Sequence, residues 1–192
     1  MNERNSAPGG LALIEALVNT LDVETGADAL DTPRNRERFG FAAEEAEDVR
    51  VLREALRAAC LAHAGHGSAT ALGPLLAETP LQVAVGPGGE AVLRPAGAPT
   101  LTARVAEAIA AGAADGTWQR LKACEAEDCR WAYYDRSPAA RRRWCSMSVC
   151  GARTKMRTYR ARRAAPGRPG GAGASGAAGG ADPGTGGAQG PV

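Results

Sequence analysis

The chain has 192 residues, a mass of 19.6 kDa, 44% hydrophobic residues and a formal net charge of +2. This length suffices for one hydrophobic core and a small satellite module, and the composition is ordinary for a globular protein. No uncharged apolar run approaches the roughly 18 residues of a membrane span, and the first residues lack a secretory signal, so we expect a cytoplasmic protein.

The N-terminal part is predicted to begin with two helices. Apolar residues recur at helical spacing over 11–22 and again over 42–64. Acidic residues crowd the first turns of the second segment, where the helix dipole favours them. Residues 23–41 are polar and contain an Asp-Thr-Pro breaker, which predicts a loop between the two helices.

The following segment adds strands to this helical framework. Two short apolar runs flank Gly-Pro-Gly-Gly, which predicts a β-hairpin over 81–94. Further helices are predicted over 69–77 and 102–113. Residues 7–115 are therefore predicted to form one helix-rich α+β domain.

The C-terminal end has the composition of a disordered tail. Residues 164–192 are nearly all Gly, Ala and Pro, and no apolar residue larger than Ala precedes Val192. Such a segment cannot bury enough apolar surface to offset the entropy of ordering.

Charge is strongly segregated along the chain. Residues 1–129 carry 11 basic and 19 acidic residues, whereas 130–168 carry 12 basic residues and one acid. A basic block on an otherwise acidic protein is typical of a surface that binds a polyanion.

Four of the five cysteines lie within residues 124–150 as two pairs. Cys124 and Cys129 are separated by four residues, as are Cys145 and Cys150. This spacing predicts a structural zinc site, because two tight turns can present four thiolates to one Zn²⁺ ion. Four protein ligands leave no open coordination position for catalysis. The alternative, four unliganded thiols, would leave a small module with neither a core nor a metal to hold it.

The residues around the cysteines predict a treble-clef-like module over 116–163. Residues 131–134 read as a strand, 135–138 as a turn, and 142–144 as a second strand. A helix is predicted over 151–163, since no breaker interrupts it.

A second metal site is disfavoured. Cys60, His63 and His66 lie close in sequence, but Gly65 interrupts the helix before the last of them. Packing and capping at the helix end are the favoured roles, and a lone Cys on a buried helix face behaves as a small hydrophobe.

The predicted module over 116–163, called the finger below, resembles part of a known family. Three motifs are similar to the C-terminal finger of bacterial CGNR zinc-finger proteins. They are Cys124-x4-Cys129, Tyr-Asp-Arg-Ser at 134–137, and the segment from Arg142 to Lys155, which reads Arg-Arg-Trp-Cys-Ser-Met-Ser-Val-Cys-Gly-Ala-Arg-Thr-Lys. Segments 11–22 and 52–56 resemble the ABATE-type N-terminal domain of that family. The resemblance implies a transcription regulator whose finger binds DNA. The name-giving motif of the family is Cys-Gly-Asn-Arg, and this chain has Cys-Gly-Ala-Arg at 150–153. Ala152 therefore removes the side-chain amide of the Asn, while the cysteine ligand and the Arg of the motif are retained.

The predicted C-terminal helix carries the candidate nucleic-acid surface. Arg153, Arg157 and Arg160 share one face, and few acids lie nearby in the sequence to pair with them. Such a helix could enter the major groove of DNA, while interleaved aromatic residues could stack on unpaired RNA bases. For Trp131 and Trp144 a place in the finger's core is favoured. The candidate contact residues are Arg141, Arg142, Arg143, Arg153, Lys155, Arg157, Arg160, Arg162 and Arg163.

These features favour a DNA-binding transcription regulator, associated with the nucleoid, over an enzyme. An RNA-binding or protein–protein adaptor remains the alternative. The N-terminal domain lacks a nucleophile motif or a phosphate loop. Glu15, Asn19 and Asp22 could line a small-molecule pocket, although capping or domain packing is favoured for them. Dimerisation is left open by the sequence.

Overall fold

The computed structural model describes residues 6–164, so the predicted tail lies outside the described residues except for Ala164. The helix-rich α+β class is confirmed. Six α-helices and two antiparallel two-stranded sheets form the described part of the chain. The helices are α1 Leu11–Val18, α2 Pro33–Phe39, α3 Ala46–His63, α4 Leu72–Leu76, α5 Leu101–Ala114 and α6 Ala152–Ala164, and the strands are β1 Leu81–Val85, β2 Ala91–Pro95, β3 Leu121–Ala123 and β4 Ala132–Tyr134.

Helices α1, α3 and α5 surround the main hydrophobic core. Leu17, Leu56 and Val105, one from each helix, are fully buried there. Gly10, just before α1, lets the two backbones approach closely, since a Cβ at this position would lie 2.8 Å from the Cβ of Ala108 on α5. The Thr100 hydroxyl accepts a hydrogen bond from the amide of Ala103 and caps the start of α5.

The loop predicted over 23–41 is wrong in its second half, which contains helix α2. Pro33 is the first residue of this helix, where a fixed φ suits the helix and no amide hydrogen is needed. The helix ends at Gly40, whose φ of +73° is the left-handed conformation that favours glycine. The Pro therefore starts a helix here rather than excluding one.

A buried arginine fixes the segment before α2 onto α3. Arg53 is almost fully buried and donates through Nη1 to both carboxylate oxygens of Asp28, at 2.7 and 2.8 Å, and to the Thr20 hydroxyl. Burial raises the pKa of Asp28, but the hydrogen bonds from Arg53 and from the amide of Leu30, together with the charges of Arg53 and Arg50, outweigh burial and lower that pKa.

The predicted hairpin forms as β1 and β2, paired with Val83 opposite Leu93. It lies at the edge of the molecule, where β2 packs against α5. Val83 remains 66% exposed, so this hairpin contributes little to the main core.

The second sheet connects the finger to the main core. Strand β3 precedes the first cysteine and pairs with β4, placing Leu121 opposite Tyr134 and Ala123 opposite Ala132. Leu121, Ala123 and Ala132 are buried in the same hydrophobic cluster as α1 and α3. The domain boundary near residue 116 stays a prediction, and the hydrophobic core crosses it.

The return strand predicted over 142–144 does not form. Side chains hold Arg142 instead: the Tyr133 hydroxyl donates to its carbonyl at 2.7 Å, and its amide donates to Asp135 at 2.9 Å. The carbonyl of Arg143 accepts from the backbone amide of Glu125 at 3.0 Å. Strand β3 takes the place of the expected partner of β4. No helix among residues 6–164 is both long and apolar enough to cross a membrane.

Candidate metal centre

The four paired cysteines are brought together at one point of the finger. Cys124 follows β3, and Cys129 ends the turn that leads towards β4. Cys145 precedes a π-helical turn, Met147–Gly151, and Cys150 lies in that turn at the start of α6. Cys124 and Cys150 are buried, while the other two are partly exposed.

The sulfur geometry fits a tetrahedral metal ion. All four Sγ atoms lie within 4.8 Å of one another, with 3.6 Å between Cys129 and Cys145 and 3.7 Å between Cys145 and Cys150. A Zn–S bond of about 2.3 Å gives a regular tetrahedron with S–S edges of about 3.8 Å. The tetrad is therefore a potential metal site whose donor set and size suit zinc.

Electrostatics explain why a cation belongs among these sulfurs. Hydrogen bonds from the thiols of Cys129 and Cys145, and from the amides of Cys145 and Ala126, lower the pKa of Cys124 to about 2. The contact with Cys124 raises the pKa of Cys129 to about 12, and contacts with Cys124 and Cys129 raise the pKa of Cys145. Four thiolates at this spacing need a positive ion between them.

A buried ion pair that sequence reasoning missed supports the finger. Asp135 is 0% exposed, and its carboxylate accepts from Lys122 Nζ at 3.1 Å and from both the amide and the hydroxyl of Ser137. Lys122 also donates to the carbonyl of Ala140. The signal for this pair was the Asp-x-Ser sequence after a strand, which is typical of a side chain that caps its own turn.

Two cations of the predicted DNA-contact face are paired, contrary to the expectation that few acids lie nearby. Asp128 Oδ2 accepts from Arg157 at 2.8 Å and from Arg153 at 3.2 Å, and Arg153 also contacts Glu24 at 3.2 Å. Both acids are distant from α6 in sequence, so only the fold reveals them. The hydrogen bond from Arg157 lowers the pKa of Asp128.

The Arg141–Arg143 run is also partly engaged. Arg142 donates to the carbonyl of Cys145 at 2.7 Å and stacks on the Tyr133 ring. Arg143 pairs with Glu125 at 2.6 Å and lies over Trp144. Arg141 is exposed and has no ion-pair partner among residues 6–164, and the same holds for Lys155, Arg160, Arg162 and Arg163.

The predictions for the two tryptophans of the finger have different outcomes. Trp144 packs against the cysteine cluster, as expected, and Tyr133 is buried within it. Trp131 is 37% exposed, so its predicted place in the finger's core is wrong. It precedes β4, and the space beside the sulfurs is filled by Tyr133 and Ala126 instead.

Glu15, Asn19 and Asp22 are not brought together in a pocket. Glu15 accepts from the amide of Ala7 at 2.6 Å, Asn19 bonds to the backbone of Ala132, and Asp22 accepts from amides of its own turn. Each carries out the structural role that the sequence favoured over ligand binding.

Cys60, His63 and His66 also have separate environments. Cys60 is fully buried in the main core, His63 Nδ1 lies 2.8 Å from the carbonyl of Leu121, and His66 Nε2 lies 2.9 Å from Glu125. Within residues 6–164, the tetrad is the one cluster of His, Cys, Asp or Glu with metal-binding geometry.

Comparison with known families agrees with this geometry. Residues 120–163 match the family model of the CGNR zinc finger. The match begins just before β3 and ends within α6, so it covers strands β3 and β4, both cysteine pairs and all but the last residue of the basic helix. Among curated proteins, none matches the sequence. The ABATE-type resemblance of the N-terminal domain stays a prediction.

Proposed function

We propose that the protein is a DNA-binding transcription regulator in which one zinc ion holds the finger and α6 contacts the duplex. The observation that carries this proposal is the exposure of α6: every residue over 155–163 is exposed, and the helix contains no acidic residue. Its main packing partner is the π-helical turn that precedes it. A projecting, uniformly cationic helix is well shaped to lie against the phosphates of a groove.

The free cations define which face meets DNA. Lys155, Tyr159 and Arg162 follow each other at i, i+4 and i+7 spacing and form one exposed stripe. Arg153 and Arg157 lie on another side, held by Asp128. We therefore assign phosphate contacts to Lys155 and Arg162, with Arg163, whose guanidinium lies over the Tyr159 ring, beside them. This replaces the Arg153–Arg157–Arg160 face that the sequence favoured.

The metal's role in this proposal is structural. Zinc would neutralise the four thiolates and join the first cysteine turn to the turn that starts α6. Cys150 lies immediately before Gly151 and α6, so its coordination sets the direction in which the helix projects. Four protein ligands leave no position for a substrate, which supports a binding function rather than a catalytic one.

A second candidate function is single-stranded RNA binding, within the adaptor alternative. Tyr159 is 54% exposed and is flanked by cations, with Arg163 over its ring. Exposed aromatic rings beside basic residues can stack on unpaired bases.

Binding of a labelled duplex, followed by fluorescence anisotropy across a range of salt concentrations, tests the proposal. We expect log affinity to fall linearly with log salt, with a slope of about −0.9 for each phosphate contacted. Replacing Lys155 and Arg162 by Ala should flatten the slope by about 1.8, and counterion release alone then predicts an affinity about 60-fold weaker at about 0.1 M salt.

A matched variant controls for net charge. Arg34→Ala with Arg38→Ala also removes two exposed positive charges, but from helix α2. This variant should retain nearly the wild-type slope. Equal effects of both double variants would overturn the assignment to α6. Tighter binding of single-stranded RNA than of duplex DNA would favour the second candidate.

A further inference from the structure

The finger and the N-terminal domain are joined by two polar side chains, one buried and one partly buried, as well as by the shared core. Asn19 follows the last residue of α1 and reaches β4 of the finger. Its Oδ1 accepts from the amide of Ala132 at 2.7 Å, and its Nδ2 donates to the carbonyl of the same residue at 3.0 Å. The side-chain amide thus occupies the place of a neighbouring strand beside Ala132, three positions after Cys129.

Arg57 makes a second connection to the same stretch of backbone. This α3 side chain is 5% exposed; Nη1 donates to the carbonyl of Arg130 at 2.8 Å, and Nη2 donates to the carbonyl of Val18 at 2.9 Å. Its Nε donates to Glu54 at 3.0 Å. One planar guanidinium therefore joins α3, the end of α1 and the residue after Cys129.

The backbone held in this way has an unusual conformation. Arg130 has a φ of +54°, a left-handed value that is uncommon for a residue with a side chain. Its carbonyl is the acceptor for Arg57. The contacts from the N-terminal domain therefore act on the turn that places the sulfur of Cys129.

We propose that Asn19 and Arg57 are positioning residues for the metal site, and that through them metal affinity is coupled to the packing of α1 and α3. The coupling rests on the metal-binding part of the proposed function, not on DNA binding. If the Cys129 turn moves away, the partly buried amide of Asn19 and the buried guanidinium of Arg57 lose partners, and each loss is costly within the fold. Because such coupling is reciprocal, loosening these contacts weakens metal binding and releasing the metal loosens α1 and α3.

Metal affinity of the full chain, measured by competition with a zinc chelator, tests the first direction. Asn19→Ala should bind zinc about tenfold more weakly, the size of effect seen when groups that orient metal ligands are removed. Arg57→Lys should also weaken zinc binding. The Lys ammonium retains the buried positive charge, but it cannot reproduce the planar fork that reaches both carbonyls.

Asn35→Ala is the matched control. Asn35 also uses its amide to hold backbone, but it donates to Ala29 and to Thr32, both within the N-terminal domain. A general loss of stability would weaken zinc binding in this variant as well, whereas positioning predicts wild-type affinity for it. Wild-type zinc affinity in Asn19→Ala, or an equal loss in Asn35→Ala, would overturn the proposal.

Hydrogen exchange of the zinc-loaded and chelator-treated chain tests the reciprocal direction. Chelation should speed amide exchange in α1 and α3, while the β1–β2 hairpin, which has no hydrogen bond to the finger, should be unaffected. Unchanged exchange in α3 would contradict coupling. The two proposals can fail separately. If Asn19→Ala binds zinc more weakly but the wild-type protein does not bind DNA, the coupling stands and the proposed function is overturned.

Discussion

Replacing Asp135 by Asn should destabilise the protein far more than a surface change of the same chemistry. The carboxylate is completely buried and accepts hydrogen bonds from Lys122, from Ser137 and from the amide of Arg142. Burial raises its pKa, but the hydrogen bonds outweigh burial and lower the pKa from 3.8 to about 2. That difference corresponds to about 2 kcal/mol of stabilisation when the group is ionised.

The loss in the variant should exceed that figure. Asn cannot carry the charge that balances Lys122, which is itself buried, and breaking a buried ion pair costs about 3–5 kcal/mol. We expect the free energy of unfolding to fall by about 3 kcal/mol at neutral pH. Urea denaturation of the zinc-loaded protein, followed by circular dichroism, measures this quantity.

Asp31→Asn is the matched control, because Asp31 pairs with Arg50 at 2.5 Å while its side chain is 63% exposed. This surface pair should contribute less than about 1 kcal/mol. The Asp135 contribution should be complete above about pH 4 and lost as the pH falls towards about 2, since the folded state holds the lower pKa. A loss in Asp135→Asn no larger than that in Asp31→Asn would refute the role assigned to the buried pair.

Three further results are expected. Burial raises the pKa of Cys60 to about 12. Iodoacetamide should therefore leave this thiol unmodified in the native protein at neutral pH and modify it after unfolding. Modification without unfolding would place Cys60 outside the core. Burial lowers the pKa of His63, although the hydrogen bond to the carbonyl of Leu121 opposes this in part. The Tm should therefore fall as the pH drops below about 6.5, because the unfolded chain then takes up a proton that the fold disfavours. His63→Gln should lose this dependence, and a Tm profile identical to wild type would exclude His63 as its source. Leu121→Ala should lower the free energy of unfolding by about 2–5 kcal/mol in a urea titration, and a change below about 1 kcal/mol would show that β3 is not part of the main core.

Sequence periodicity predicted most of the helical framework. The segments 11–22 and 42–64 contain α1 and α3, and α5 extends one residue beyond 102–113 at each end. The periodicity was informative because each helix buries one apolar face in the main core. Helix α2 was missed because its sequence, Pro-Arg-Asn-Arg-Glu-Arg-Phe, has a single large apolar residue, Phe39, and begins with Pro. Tertiary burial of that one ring decides the structure there.

The cysteine spacing likewise predicted the tetrad, since two pairs on tight turns have few other arrangements. The partners of the cations could not be predicted in this way. Asp128 lies within the first cysteine pair and Glu24 in the N-terminal domain, and neither has a regular sequence separation from α6. The contacts of Asn19 and Arg57 with the finger could not be predicted either, because their partners there are backbone atoms, which do not depend on residue type.

The most direct test of the metal centre is the zinc content of the full chain, purified without added zinc and measured by native mass spectrometry. We predict one zinc ion per chain in the wild type and in Cys60→Ala, whose cysteine lies in the main core. Cys145→Ser, which removes a sulfur 3.6 Å from Cys129, should lose most of the bound metal. A wild-type protein that is folded but holds no metal, or a Cys60→Ala variant that loses metal as readily as Cys145→Ser, would contradict a zinc site built from the four paired cysteines.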